Sequence, residues 1–375
     1  MTRDWGDPRR TDEIRVYMVC PTDLDRTYGE LTGVDLSGCS IEAGYYTDTR
    51  VSAKLTVVGD AWVRGSFLRV VHRVPEWGYE NELGTFVVTN DAATRENGVW
   101  KYELTCQSVL YGLSTDLLSW PVTRAKGSSA VAGMKYILDT CKRRYVNRGA
   151  KDKRLGSALV METGKSMLSH LFKLCQQAGD RLDVDGHGRV TISPYVRPAA
   201  KEPRLTIDVS DPRGTSYGGL KRSTDWLSSV GRVTVSCRYS ETVKKGKKSK
   251  TVSREIVAHA DASAMDHRGS AVRGYLVTDF RSLSDMKPRT KAQAQKLANR
   301  YLRDSSPELV EWELDSAYMP VWQGDVVELL VPDGDDQYSG RRKCLVKSLS
   351  VDLANMTMSL RLKETSSGDK GESDD

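Results

Sequence analysis

Between residues 12 and 120, apolar and polar positions alternate in short runs. IRVYMVC at 14–20, RVSAKLTVV at 50–58, SFLRVVHRV at 66–74, LGTFVVT at 83–89 and VWKYELTCQSVL at 99–110 each read as strands. Gly59-Asp60, Gly78, Asn90-Asp91 and Asn97-Gly98 punctuate them. Short strands at near-regular spacing predict an antiparallel barrel or sandwich over 12–120.

After Trp120-Pro121 the apolar period lengthens to three and four. Val131, Met134, Leu138, Cys141 and Tyr145 share one face of a helix predicted over Ser128–Arg148, started by Ser128 or Ser129 and ended by Gly149. Within 165–196, Met167, Leu168, Leu171, Leu174, Cys175 and Ala178 make a second apolar stripe, with His170 beside it and Gly179 as left-handed cap. The period then drops to two. Leu182 with Val184, and Val190 with Ile192, flank the turn Asp185-Gly186-His187-Gly188. An isolated hairpin is marginal in water, so the helix is expected to pack on it. Strand patterns follow at 205–209, 230–239, 256–259 and 275–278, and a helix at Thr290–Arg303 puts Ala294, Leu297, Ala298 and Tyr301 on one face. Strands resume at 308–314, 326–331, 343–353 and 356–362. The class is α+β, mainly β, with strand-rich regions flanking an α+β middle. The final ETSSGDKGESDD is acidic and predicted to be disordered.

A chain of 375 residues, 39% hydrophobic and 28% charged, fits a globular protein of two or three domains. No apolar run approaches the roughly 18–20 residues of a membrane span. The polar N-terminus lacks a signal-peptide core, which predicts folding in a cytoplasm. The 7 cysteines fit that setting. Cys106, Cys141, Cys175 and Cys237 lie inside apolar patterns and no pair has CxxC spacing, so reduced core thiols are expected and a zinc site is not. The net charge of +6 is interspersed except for one block, Lys244, Lys245, Lys247, Lys248, Lys250 and Arg254. A solvated hairpin loop accounts for this block. The alternative is a phosphate or partner contact with steep salt dependence, and without base reading because no aromatic residue stands in it.

Catalytic motifs fail on context. Gly164-Lys165-Ser166 has the end of a phosphate loop, but Leu159 stands where its first glycine belongs. Gly214-Thr215-Ser216-Tyr217-Gly218 spells a nucleophile elbow, which makes a serine hydrolase using Ser216, with His259 or His267 as base, a remote alternative. Asp211-Pro212-Arg213 before it and Gly219 to Ser223 after it lack the required strand and helix. Asp183-x-Asp185-Gly186 departs from a calcium loop at Pro194, and His72, His170, His187, His259 and His267 show no ligand spacing. No catalytic residue, cofactor or metal is assigned, and the chain is not expected to be an enzyme.

The order of segments resembles the baseplate-hub or tail-tip hub proteins of tailed bacteriophages. The resemblance rests on Leu83–Val88 followed by Trp100–Leu110, on the helix from Ser128, on the helix-then-hairpin ending AGDRLDVDGHGRVTI, and on MPVWQGDVV at 319–327 followed by KCLVKSLSVDLANMTMSLRL. It spans roughly residues 12–363. It implies a homotrimer whose subunits each bring two related β-barrels to a hexameric tail tube, with Gly84-Thr-Phe-Val-Val and Gly324-Asp-Val-Val-Glu in comparable places. The implied layout is an N-terminal arm (1–11), a first β-barrel-like domain (12–120), an α+β domain (121–200), a second β-barrel-like domain (201–363) with an insert at about 240–305, and a tail (364–375). The implied function is a structural virion protein forming part of the genome-ejection channel, assembled in the host cytoplasm. The implied neighbours are the tail tube or distal tail protein, the tape-measure protein and tip, fibre or receptor-binding proteins, with phage DNA in transit. Lytic or receptor-binding activity would belong to those neighbours. A distal-tail ring or other minor tail protein is the nearest alternative, and a nucleic-acid-binding protein using 244–254 a more distant one.

Overall fold

The computed structural model describes residues 5–7, 9–59, 65–156, 158–210, 219–225, 229–245, 248–263, 274–284, 290–304, 309–332 and 339–365. Seven strands come first: β1 (Glu13–Cys20), β2 (Asp23–Glu30), β3 (Ser40–Gly44), β4 (Val51–Val58), β5 (Phe67–Val74), β6 (Tyr79–Glu96) and β7 (Val99–Ser108). The middle holds α1 (Leu110–Thr115), β8 (Val122–Arg124), α2 (Ala130–Thr140), β9 (Tyr145–Asn147), β10 (Leu159–Met161), α3 (Met167–Ala178), β11 (Asp180–Val184) and β12 (Val190–Pro194). Then follow β13 (Thr206–Asp208), β14 (Lys221–Asp225), β15 (Arg232–Lys245), β16 (Lys248–Asp261), β17 (Thr278–Ser284), α4 (Lys291–Asp304), β18 (Leu309–Ala317), β19 (Val326–Val331), β20 (Gly340–Asp352) and β21 (Thr357–Glu364).

The class is the expected α+β, mainly β. The two strand-rich regions, however, share one sheet of thirteen strands, in the order β14-β18-β21-β20-β3-β4-β7-β6-β5-β1-β2, with β19 bridging β20 to β13. No sheet closes into a barrel among the described residues. The seam is β3 on β20, antiparallel from Gly44 opposite Ser348 to Ser40 opposite Asp352. A single core crosses it, from Val16, Ile41 and Phe86 to Trp312, Val346 and Leu360.

β5 is apolar on both faces because both are covered. Leu68 and Val70 enter the sheet's own core, while Phe67, with Val19 of β1, faces the middle unit. There the stripes of α2 and α3 meet, with Met134, Ile137 and Leu138 against Leu171 and Leu174. Ser129 and Ser166 cap these helices, their hydroxyls accepting the Ala132 and Ser169 amides. Gly179 ends α3 in the left-handed region as expected (φ +66°). α2 stops at Thr140, eight residues short of the predicted end. Lys142 turns left-handed, and Tyr145–Asn147 becomes β9, parallel to β12. Lys142, Arg143, Arg144 and Arg148 therefore lie beyond the helix.

A third core is separate from both. β15 lies between β16 and the parallel β17, and Val233, Val235 and Cys237 pack under Ala298 and Leu302 of α4.

Candidate assembly surface

The helix–hairpin unit meets both strand-rich regions in one cleft. Asn81–Phe86 of β6, the β11–β12 hairpin and residues 318–325 line it. Gly186 at the hairpin tip touches β6 so closely that a Cβ would lie 2.3 Å from the Glu82 carbonyl oxygen. Thr85 donates its hydroxyl to the Gly186 carbonyl (2.8 Å) and accepts from Arg69 Nε (3.0 Å). On the opposite wall Gln323 Nε2 donates to Asp183 Oδ1 (3.2 Å), which shares its carboxylate with Arg181 (2.7 Å). Arg181 stacks over Tyr45, 4.1 Å from the ring centroid. Lys201 donates to the Gly324 carbonyl (2.7 Å), and Arg204 pairs with Asp325 (2.9 Å). Burial, and then the nearby Arg181 charge, push the Lys201 ammonium below its ordinary value. Gly84 and Gly324 both line this cleft, one on each side.

Tyr318 closes one end. It is 1% exposed, its hydroxyl accepts from Asn81, and burial pushes its phenol up. Trp5 and His72 stack edge-on against it at 6.1 and 4.8 Å. Arg10 donates to the carbonyls of Trp5 and Tyr318, and Asp12 lies 2.6 Å from His72 Nε2. Trp5, Arg10 and Asp12 are thus fastened across both strand-rich regions. Asp183 with Arg181 and Gln323, and Arg204 with Asp325, pair across the cleft and tie its walls together as a joint, while Arg181 Nη1 and Gln323 Oε1 are buried without a hydrogen-bond partner.

The residues singled out by chemistry resolve differently. Ser166 is the α3 cap, and Lys165 is exposed beside it. Asp185 holds the hairpin turn by accepting the Arg189 amide and guanidinium (2.8 and 2.9 Å). His170 is fully buried on α3, not beside the stripe, with Nε2 3.3 Å from the Glu162 carbonyl. Its neighbours on the helix, Met167 and Leu171, are in the core, and one turn is too narrow to keep residue 170 out. Ser216 and His267 lie outside the described residues. Among the described residues no three His, Cys, Asp or Glu side chains converge on a metal position, and no helix is long and apolar enough to cross a membrane.

Lys244, Lys245, Lys248, Lys250 and Arg254 of the basic block, expected as a loop, lie in strands. β15 and β16 pair from Arg232 opposite Asp261 to Lys245 opposite Lys248, whereas β17 lies beside only Arg232–Arg238. Residues 239–245 and 248–254 therefore continue beyond the third strand as a two-stranded arm of about 20 Å. Lys244, Lys245, Lys248 and Lys250 take register positions at its end, with Arg254 at its base. Lys247 and the side chains of 240–251 lie outside the described residues. Residues 240–254 carry 6 cations and 1 carboxylate.

Sequence reasoning missed the joint residues Tyr45 and Tyr318, and it held Arg181 and Gln323 only inside the AGDRLDVDG and MPVWQGD segments without giving them a role. The aromatic and glycine content of YMPVWQGD was the signal for Tyr318 and Gln323.

No family model matches the chain, and no curated protein matches its sequence. Solved structures match its fold. The tail protein from Neisseria meningitidis MC58 superposes with a TM-score of 0.62 at 14% identity, over 94% of this chain and 96% of that one. The prophage MuSo2 43 kDa tail protein from Shewanella oneidensis gives 0.62 at 12% identity, over 94% and 98%. This is the fold of phage tail proteins. Prophage tail protein gp18 from Listeria monocytogenes EGD-e agrees, at 0.54 and 10% identity over 95% of each chain. The tail-protein fold therefore extends over nearly the whole sequence, and at these identities the likeness is one of fold.

Proposed function

We propose that the protein is a structural, non-catalytic hub at the tip of a phage-type tail. In this reading three copies form a ring, and each supplies two strand-rich regions, so that six similar surfaces meet a hexameric tube. The two regions correspond to the two β-barrel-like domains at 12–120 and 201–363, with the α+β unit between them. The observation that carries the reading is the end-to-end fold likeness to tail proteins. The seam between β3 and β20 and the committed charges of the joint support it, because a hub must hold its two faces at a fixed angle under load. The tail tube or distal tail protein would lie above, tip and fibre proteins below, and the tape-measure protein and DNA within the opening. Such a protein resides in the virion after assembly in the host cytoplasm.

Immunogold labelling of intact particles tests the placement. Gold at one end of the tail is expected, and gold on the head, or on no part of the purified particle, would refute it.

The basic arm is assigned a contact with a polyanionic partner surface. Lys245 and Lys248 stand directly opposite each other, a like-charge pair that a facing anion relieves. Retention on heparin should fall when Lys244, Lys245, Lys247, Lys248 and Lys250 are changed to Gln, and the salt dependence of binding should flatten with it. Unchanged retention would remove the arm from the interface.

A further inference from the structure

The middle unit carries a ribbon that no other strand covers among the described residues. β8 and β10 pair only with each other among the described residues. The pairing continues outward, since the Leu118 amide donates to the Lys165 carbonyl (3.1 Å), Gly164 to Leu118 (2.9 Å) and Met167 to Asp116 (2.9 Å). Leu118, Leu159 and Met161 face the core. The solvent side carries Leu117, Trp120 and Val160, exposed by 53%, 65% and 49%. Tyr136 of α2 lies at the rim, with the Arg124 guanidinium 4.6 Å from its ring centroid. A two-stranded ribbon is marginal in water, and its unpaired edges are templates for another strand. Exposed apolar clusters of this kind mark interaction sites.

Charge selects the partner. Residues 121–200 carry 15 Lys and Arg against 6 Asp and Glu, an excess of +9 in a chain whose total is +6. Arg124 is part of β8, Lys126 follows it by two residues, and Lys165 supplies the carbonyl that the Leu118 amide bonds. Lys126 and Lys165 are exposed and make no carboxylate ion pair among the described residues. Asp116 and Glu162 are the ribbon's own acids, and Asp116 accepts from the Cys141 thiol.

We propose that this ribbon docks an extended acidic segment of another protein. The segment's backbone adds as a third strand at the edge of β8 or β10, its apolar side chains cover Leu117, Trp120 and Val160, and its carboxylates meet the surrounding cations. Nucleic acid would use the cations alone, and a lipid surface would leave the strand edges unpaired. The chain's own residues 365–375 are acidic but contain no apolar side chain. The inference is independent of the hub reading, because it needs only the ribbon and its charge.

The test uses the full chain and a fluorescein-labelled peptide alternating Glu with Val and Trp, beside a control peptide of Glu and Ser. The alternating peptide should bind at least about tenfold tighter than the control, and Leu117→Ala with Trp120→Ala should weaken it by about tenfold or more. Trp100→Ala, another exposed tryptophan, should leave binding unchanged. Hydrogen exchange of the unaltered protein should show peptide-dependent protection at 122–124 or 159–161, a readout that holds even if the double variant unfolds. Equal binding of both peptides, indifference to the double variant in a folded protein, or absence of that protection would overturn the proposal. So would patch-dependent binding of phosphatidylserine vesicles or duplex DNA in place of the peptide. Self-association that disappears in the double variant would also overturn it, by making a second copy the occupant.

Discussion

At the scale of single residues, burial separates groups that the sequence makes look alike. Leu171 and His170 are neighbours on α3 and both are sealed from solvent. Leu171→Ala should cost roughly 2–5 kcal/mol through the cavity it leaves. His170→Ala should also destabilise, by about 1–3 kcal/mol, where a residue beside the stripe would tolerate it. The apolar stripe was legible from spacing. The burial of His170 was not, because the core on this side is wider than the stripe alone suggests. Burial also holds the imidazole below its ordinary value and the Asp180 carboxyl above its own. The signs oppose. The unfolded chain protonates His170 from about 6.5 downward while the fold resists, so stability is lost as pH falls through that range. Asp180 keeps its proton in the fold above 3.8, so its contribution is lost as pH rises from there. Unfolding midpoints should fall less toward acid in His170→Gln than in the unaltered protein, and less toward neutral pH in Asp180→Asn. Parallel curves for all three would contradict these assignments.

The cysteines divide in the same way. All 7 are free thiols, as the absence of paired spacing led one to expect. Burial pushes Cys106 and Cys175 up to about 12. Cys20 is also buried, at 7% exposed, but hydrogen bonds from Thr22 and Tyr28 lower its thiol to about 7. In the native protein one thiol should react with iodoacetamide well before the rest, and Cys20→Ser should remove that phase. Persistence of the fast phase in the variant would place the reactive thiol elsewhere.

At the scale of elements, alternation located the strongly patterned strands, and 326–331 falls on β19 to the residue. It missed β2, whose DLDRTYGE has almost no apolar face because it is the exposed edge of the sheet. It missed β3 because a five-residue strand is too short to show a period. It extended α2 through Tyr145 because Tyr145 keeps the helical spacing, although pairing with β12 claims that residue for a strand. The Gly179 cap of α3 and the hairpin turn were legible because both rest on local chemistry. The close approach of Gly186 to Glu82 joins segments a hundred residues apart, and no local pattern records it. Gly186→Ala must push the hairpin from β6 and should cost about 1–3 kcal/mol, read as a lowered urea midpoint. A midpoint unchanged by this substitution would mean that the hairpin does not bear on β6.

At the scale of the whole molecule, the sequence divided the chain into two strand-rich regions and a middle unit, and the fold joins those regions through β3 and β20 into a single sheet. The seam was not legible because β3 carried no signal. Its consequence is mechanical, since the regions cannot rotate about a linker without breaking sheet hydrogen bonds and the core that crosses them. In the hub we propose, this rigid pair of strand-rich regions is what matches three chains to a sixfold tube, and a closed ring of such contacts joins unlike patches of neighbouring copies. The most direct test is a reconstruction of the assembled tail tip without imposed symmetry. The account predicts three copies of this chain around a central opening, each placing both strand-rich regions in a pseudo-sixfold layer against the tube. Six copies in that ring, or a tip that lacks the chain, would contradict it.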